Sequence, residues 1–197
     1  LEAHELAVFR HFAAGAGASA TVSGLAFRPR VALAFTAVGG FNTSSANARG
    51  SMGAAVLNTD GTVQGQFHDT FFERETPTVS TFPGGGIRDD SVGSRITVTA
   101  LGVLSEEGRY AVTAGTADGF TVQNTSGATG VTIGFLALYT RNLRAWAGIP
   151  TMDTEATGDK SITGIGFRSQ CLFAVGGFYT GKNAYVQDGT SEHFCYG

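Results

Sequence analysis

Gln66–Glu75, "QFHDTFFERE", is the densest polar and aromatic stretch of the chain. His68, Asp69, Glu73 and Glu75 are residue types that hold a metal ion or trade a proton as an acid/base pair. Their order argues against both. Successive side chains of a strand point to opposite faces, so His68 and Asp69 diverge. Neither His-x-x-x-His nor His-Glu-x-x-His spacing occurs. The stretch reads as a strand end running into a solvated loop. His4, His11 and His193 are isolated, and the placement of His193 two residues from Cys195 is one that coincidence also gives. No serine sits in a Gly-x-Ser-x-Gly elbow. Pro83–Asp90, "PGGGIRDD", has the glycines of an anion loop but lacks the Gly-Lys-Ser/Thr ending and a following helix. Asn42-Thr43-Ser44 and Asn124-Thr125-Ser126 are glycosylation sequons, which matter only in a secreted eukaryotic protein. Trp146, Tyr110, Phe71 and Phe72 can stack on sugars if exposed, but aromatics beside turns are more often core residues at a sheet end. These residues assign no catalytic role, no metal ligand and no cofactor, and they leave ligand-binding residues open.

The composition sets further bounds. Of 197 residues, 15% are charged and 29 are glycine; average domains carry about 25% charged residues and about half this share of glycine. Few charges with many Gly, Thr, Val and Phe favour strands and tight turns over helices. The net charge is −3 and the 13 basic residues are scattered, so no basic stripe is present to neutralise phosphates and no nucleic-acid partner is expected. No run of 18 apolar residues exists for a membrane-spanning helix, and no basic-then-apolar leader opens the chain. Leu1 as the first residue suggests a fragment, a processed chain or an incomplete gene. Two cysteines are too few for a disulfide framework. Cys171, in an apolar run, reads as a buried thiol, and a bridge to Cys195 stays open.

The elements that would position these side chains are mostly strands. Ala20–Phe27 and Arg30–Val38 read as two strands broken at Pro29. Asn42–Gly50 reads as a loop. Ser51–Asn58 and Thr62–His68 flank Thr59-Asp60-Gly61, a hairpin signature. Thr76–Asp90, with Pro77, Pro83 and Gly84-Gly85-Gly86, reads as a long surface loop. Arg95–Leu104 alternates as a strand, Ser105–Tyr110 reads as a turn, and a strand starts at Arg109. Phe120–Asn124 follows a second Asp-Gly, and Val131–Tyr139 reads as a strand buried on both faces. Strands at this spacing predict an all-β fold, an antiparallel β-sandwich (jelly-roll-like). Its expected core is Leu25, Phe27, Val31, Leu33, Phe35, Val56, Phe67, Ile96, Val98, Val112, Ile133, Phe135 and Leu136. Helix formers concentrate at Leu1–Ala14 and Arg141–Ala147.

The chain also repeats itself. Val22-Ser23-Gly24-Leu25-Ala26-Phe27-Arg28 matches Ile162-Thr163-Gly164-Ile165-Gly166-Phe167-Arg168 at an offset of 140, and Val38-Gly39-Gly40-Phe41 matches Val175-Gly176-Gly177-Phe178. Ile162–Phe178 is therefore expected to superpose on Val22–Phe41 as two adjacent strands joined at Arg168-Ser169. Leu6-Ala7-Val8-Phe9 echoes Leu136-Ala137-Leu138-Tyr139. Residues 1–19 are then either the last strand of a preceding copy or a short helix. Residues 20–140 form the sandwich module, 141–160 a linker, and 161–197 a partial second module. The alternative is that the C-terminal strands complete the first module as a pseudo-symmetric half.

"GLAFRPRVALAF", a small-residue loop, "LNTDGTVQ" and "DGFTVQNTSGATGVTIGFLALY" together resemble modules in structural proteins of tailed bacteriophages. The resemblance covers about Ala20–Tyr139 and then Ile162–Phe178; the second stretch departs from it at Ser169, where Pro29 stands in the first. It implies a virion component such as a fibre, tail appendage or capsid decoration, located in the virion, non-enzymatic, and partnered by other virion subunits or by itself as a homo-oligomer. Two alternatives are a carbohydrate-binding β-sandwich that meets a host-surface glycan, and a polysaccharide-degrading enzyme with its catalytic part elsewhere.

Overall fold

The computed structural model describes residues 5–12, 15–37, 47–76, 79–98, 104–127, 131–150, 161–176, 183, 186–187 and 195–196. Two antiparallel sheets form a sandwich. The larger holds β1 (Glu5–Phe12), β10 (Thr132–Tyr139), β3 (Val31–Ala37), β4 (Asn47–Leu57), β5 (Val63–Thr76), β6 (Val79–Arg88) and β12 (Val186–Gln187), in that spatial order. The smaller holds β2 (Ser19–Val22), β9 (Gly119–Ser126), β8 (Leu104–Thr116) and β7 (Gly93–Val98). A two-stranded ladder, β11 (Val175–Gly176) with β13 (Cys195–Tyr196), completes the described strands. The β-sandwich is the fold class expected from the sequence. No described residue is helical, and no helix is long and apolar enough to cross a membrane.

The two Asp-Gly pairs both lie in hairpin turns, β4–β5 and β8–β9. Gly61 has φ +94°, the left-handed region that glycine enters without a Cβ penalty. The Asp60 carboxylate accepts hydrogen bonds from the Thr62 amide at 2.9 Å and the Thr62 hydroxyl at 2.7 Å, closing the β4–β5 hairpin. At the β8–β9 hairpin, Asp118 accepts from the amides of Gly24 and Leu25, 3.2 and 2.9 Å. That turn thereby fixes the segment after β2.

The Val22–Val38 stretch departs from the two adjacent strands expected. β2 and β3 lie in different sheets, and residues 23–30 cross between them. Gly24 turns the chain with φ +84°. Pro29 cannot donate to a ladder, and the chain joins the larger sheet only after it, at Val31. The Arg28 guanidinium fastens the crossing, donating to Thr59 O at 2.6 Å and Thr116 O at 3.1 Å.

Between the sheets sit Ile133, Phe135 and Ala137 of β10, Ala32 and Ala34 of β3, Ala55 and Leu57 of β4, Val92, and Tyr110, Val112, Phe120 and Val122 of the smaller sheet. Phe120 and Phe135 meet edge to face, 4.9 Å between centroids. Of the expected core, Phe27, Val31, Val56, Phe67, Ile96, Val112, Ile133 and Phe135 are buried, and Leu25 packs against the cluster. Leu33, Phe35 and Leu136 are half-buried on the other face. The Val98 side chain lies outside the described residues. β10 is buried on alternate positions rather than on both faces.

Several loop assignments are corrected. β4 begins at Asn47, inside the stretch read as a loop; 42–46 lie outside the described residues. β6 replaces most of the surface loop expected over Thr76–Asp90, with Gly85 opposite Phe71 and Gly86 opposite Thr70. Extended backbone admits glycine, and the neighbouring strand supplies the pairing. Ser105–Tyr110 is strand, because a register shift between Arg95 and Ile96 absorbs Gly108 and its neighbours without a turn. Of the two helical expectations, Glu5–Phe12 is a strand along its whole length, paired antiparallel with β10. Arg141–Ala147 is irregular.

Two described segments after β10 touch the larger sheet. The Ala147 carbonyl lies over Gly65, where a Cβ would come within 2.6 Å of it. Farther along, Asn183 docks on the β6 end: its amide donates to Ile87 O at 2.7 Å, and its side chain exchanges two hydrogen bonds with Asp89 at 2.7 and 3.1 Å. Asn183 has φ 60°, a left-handed position that asparagine occupies more readily than most residues.

Candidate functional site

The chemistry-bearing residues of β5 are brought together with residues the sequence did not connect. His68 points between the sheets, fully buried. Its Nδ1 lies 3.3 Å from Ser91 O and 3.2 Å from Ser91 Oγ, and its Nε2 lies 2.9 Å from Ser94 Oγ. A carbonyl only accepts, so Nδ1 carries the proton and Ser94 donates to Nε2. Ser91 Oγ in turn donates to Asp90 Oδ1 at 2.8 Å. No spacing in the sequence links position 68 to 91–94. The pairing of β5 with β6 and the packing of β7 across it do.

The order Ser94–His68–Ser91–Asp90 has the members of a proton relay. It lacks access: His68 is 0% and Ser94 1% exposed. Burial also pushes the His68 pKa down to about 4, so the ring is neutral at pH 7. The group satisfies buried polar atoms. Ser51 and Thr70 extend it: Ser51 Oγ accepts from the Ser94 amide at 3.1 Å, and Thr70 donates to Gly50 O at 3.0 Å. Asp69, on the opposite face of β5, is buried too, so the strand is covered on both sides rather than ending in solvent. The Glu73 and Glu75 side chains lie outside the described residues, as do His4, His193 and the side chain of His11.

Asp90 anchors a run of alternating charges. Arg88 grips it with two nitrogens at 3.0 and 2.9 Å, and Arg109 reaches it at 2.9 Å. The Arg88 guanidinium holds the Asp90 carboxyl far below the usual carboxylate range. Arg109 also approaches Glu106 at 3.7 Å, and Glu107 pairs with Arg95 and, at 4.0 Å, with Arg49. These pairs join β6 and β4 of one sheet to β7 and β8 of the other. Pro83–Asp90 is thus strand and ion-pair anchor, not an anion loop. Among the described residues no group of three or more His, Cys, Asp or Glu is placed to hold a metal ion.

The aromatic candidates separate. Tyr110 is fully buried, and desolvation pushes its hydroxyl up to about 12. The Phe71 ring lies against Gly50, where a Cβ would come within 2.8 Å of it. The Phe72 side chain lies outside the described residues. Trp146 is 38% exposed. Asn124 is buried, bonded to Gly127 O and to the Ser126 amide, so its sequon is closed in the folded chain. The Asn42 sequon lies outside the described residues.

Among the described residues, the most exposed large apolar side chains, Leu172 and Ile162, lie on the repeated segment. Gly164 has φ +81°, matching +84° at Gly24, and the chain bends at 166–167 and 170 as it does at 26–27 and 30. Phe167 sits under the Arg144 guanidinium, 5.2 Å away, and Arg144 donates to Gly166 O at 3.0 Å. On either side of the bend the copies part: Val22 ends a paired strand and Val31–Ala37 is another, whereas 161–165 and Cys171–Ala174 belong to no strand, so the two adjacent strands expected over Ile162–Phe178 are not formed among the described residues. Leu172 is 70% and Ile162 40% exposed. Cys171 is a free, exposed thiol, which corrects the buried thiol expected from its apolar neighbours. Its neighbour Leu172 is exposed as well, and Phe173 is half-buried. No family model, no curated protein and no solved structure matches the chain.

Proposed function

We propose that the chain is a non-enzymatic structural module of a tailed-phage particle, a fibre, tail appendage or capsid decoration, whose work is to join subunits. The observation that carries this is the recurrence of one corner at 22–30 and 162–170, including left-handed glycines at Gly24 and Gly164. In the first instance the following strand is buried inside a sandwich. In the second it presents Leu172 to solvent. A repeated unit whose apolar face lies open suits an assembly module. The resemblance of Ala20–Tyr139 to phage structural modules points the same way. Immunogold labelling of tailed particles from the source, with antiserum against this chain, tests it. Label on the tail or head surface is expected; label absent from particles would overturn the reading.

Trp146 favours a second reading, a receptor-binding module for a host-surface glycan. It is the single tryptophan of the chain and is partly exposed, and an exposed indole is suited to stacking on a sugar face. Saturable quenching of its fluorescence by surface oligosaccharides, lost in Trp146→Ala, would favour this reading over the first.

A further inference from the structure

In the first copy, the residues after the corner lie between two strands. β10 pairs with one edge of β3, Leu138 opposite Val31 and Leu136 opposite Leu33, and β4 pairs with the other. Ala32 and Ala34 are fully buried there. The residues 140 positions later are Leu172 and Ala174, both exposed. No ladder includes Cys171–Ala174 among the described residues. The first copy therefore specifies what such a segment receives: an antiparallel strand of the β10 type.

β1 is a strand of that type. Leu6-Ala7-Val8-Phe9 matches Leu136-Ala137-Leu138-Tyr139 at an offset of 130. It is also outermost in the seven-stranded sheet, paired with β10 alone among the described residues. Its other edge carries no ladder among the described residues, the kind of template on which a further strand adds.

We propose that β1 of a second copy of this chain pairs antiparallel with Cys171–Ala174. Transfer of the β10–β3 register places Val8 opposite Cys171 and Leu6 opposite Phe173. The contact joins different surfaces of the two copies, so it is heterologous and either closes into a ring or extends into a filament. This deepens the reading as an assembly module and rests on it.

The free thiol of Cys171 supplies the test. In a Cys195→Ser background, Val8→Cys and His11→Cys are each oxidised mildly, and disulfides between chains are located by peptide mass spectrometry. Paired antiparallel positions lie about 4.5–5.5 Å apart, within disulfide reach, whereas three residues of slip adds about 10 Å. About ten-fold more interchain bond to Cys171 is expected for Val8→Cys than for His11→Cys. A second measurement needs no variant: amide exchange at Cys171–Ala174 in the full chain slows as concentration rises. An oligomer with no preferred 8–171 bond and fast exchange at 171–174 overturns the strand pairing and leaves the assembly reading standing. A monomer with fast exchange there at every concentration overturns both.

Discussion

His68 shows how much one residue can depend on its surroundings. It is neutral, buried and bonded at both nitrogens, and its pKa lies about 4 when folded against 6.5 in the open chain. The unfolded state therefore binds a proton that the folded state refuses between those values. Stability is fully present above 6.5 and falls as pH drops toward 4, by about 3 kcal/mol. Urea unfolding across that range should show this slope. His68→Asn should be less stable at neutral pH and should flatten the slope; an unchanged slope would remove His68 as its source. Asp90, held low by Arg88, acts in the same direction but only below the normal aspartate range. Gly53 makes a second residue-scale prediction. A Cβ there would meet the carbonyls of Phe67 and Val92, backbone atoms that cannot swing aside. Gly53→Ala should cost about 1–3 kcal/mol in denaturant melts; a neutral result would mean that β4 and β7 separate freely. Little of this was legible in the sequence. The polar types of Gln66–Glu75 were visible, but their partners Ser91 and Ser94 are set by the packing of β7 over β5. Tyr110, read as a sugar-stacking candidate, lies in the core.

At the scale of elements, turn chemistry was the most readable layer. Both Asp-Gly pairs lie in hairpin turns as their residues predict, and at Gly61 the left-handed position is a local demand that tertiary context rarely overrides. Which face of β3 turns inward was not readable. Leu33 and Phe35 are larger than Ala32 and Ala34, yet the alanines face the core, where Phe120, Phe135 and Tyr110 already fill the space. A shift of one residue exchanges the two faces of a strand, and the outward Leu33 and Phe35 are half-buried too. β6 was hidden for a different reason: three glycines and a proline suggest a loop when counted locally, while the ladder to β5 decides. Asn183 carries the prediction at this scale. Asn183→Ala removes both side-chain bonds to Asp89 and a residue suited to φ 60°. Exchange of the Asp89 amide should quicken roughly ten-fold with little change in global stability. Unchanged protection would mean that the segment around Asn183 is held by other contacts.

At the scale of the whole molecule, the sandwich class followed from strand spacing and composition, whereas the sequence left residues 1–19 open between a strand and a short helix, and Glu5–Phe12 is a strand. The sheet that the C-terminal residues would need was not legible, since Cys171–Ala174 carries a strand's sequence but pairs with no strand among the described residues. An apolar strand sequence held open to solvent favours association, because burying Leu172 and its neighbours removes apolar surface from water. The central claim is that this chain is built to join other subunits, and copies of itself in particular. Sedimentation equilibrium of the isolated chain over a range of concentrations measures that most directly. The account predicts a mass that is a multiple of 20.4 kDa, reduced toward the monomer by Leu172→Asp. A single 20.4 kDa species at every concentration, with protected amides throughout 162–176, would contradict it and identify a self-contained domain.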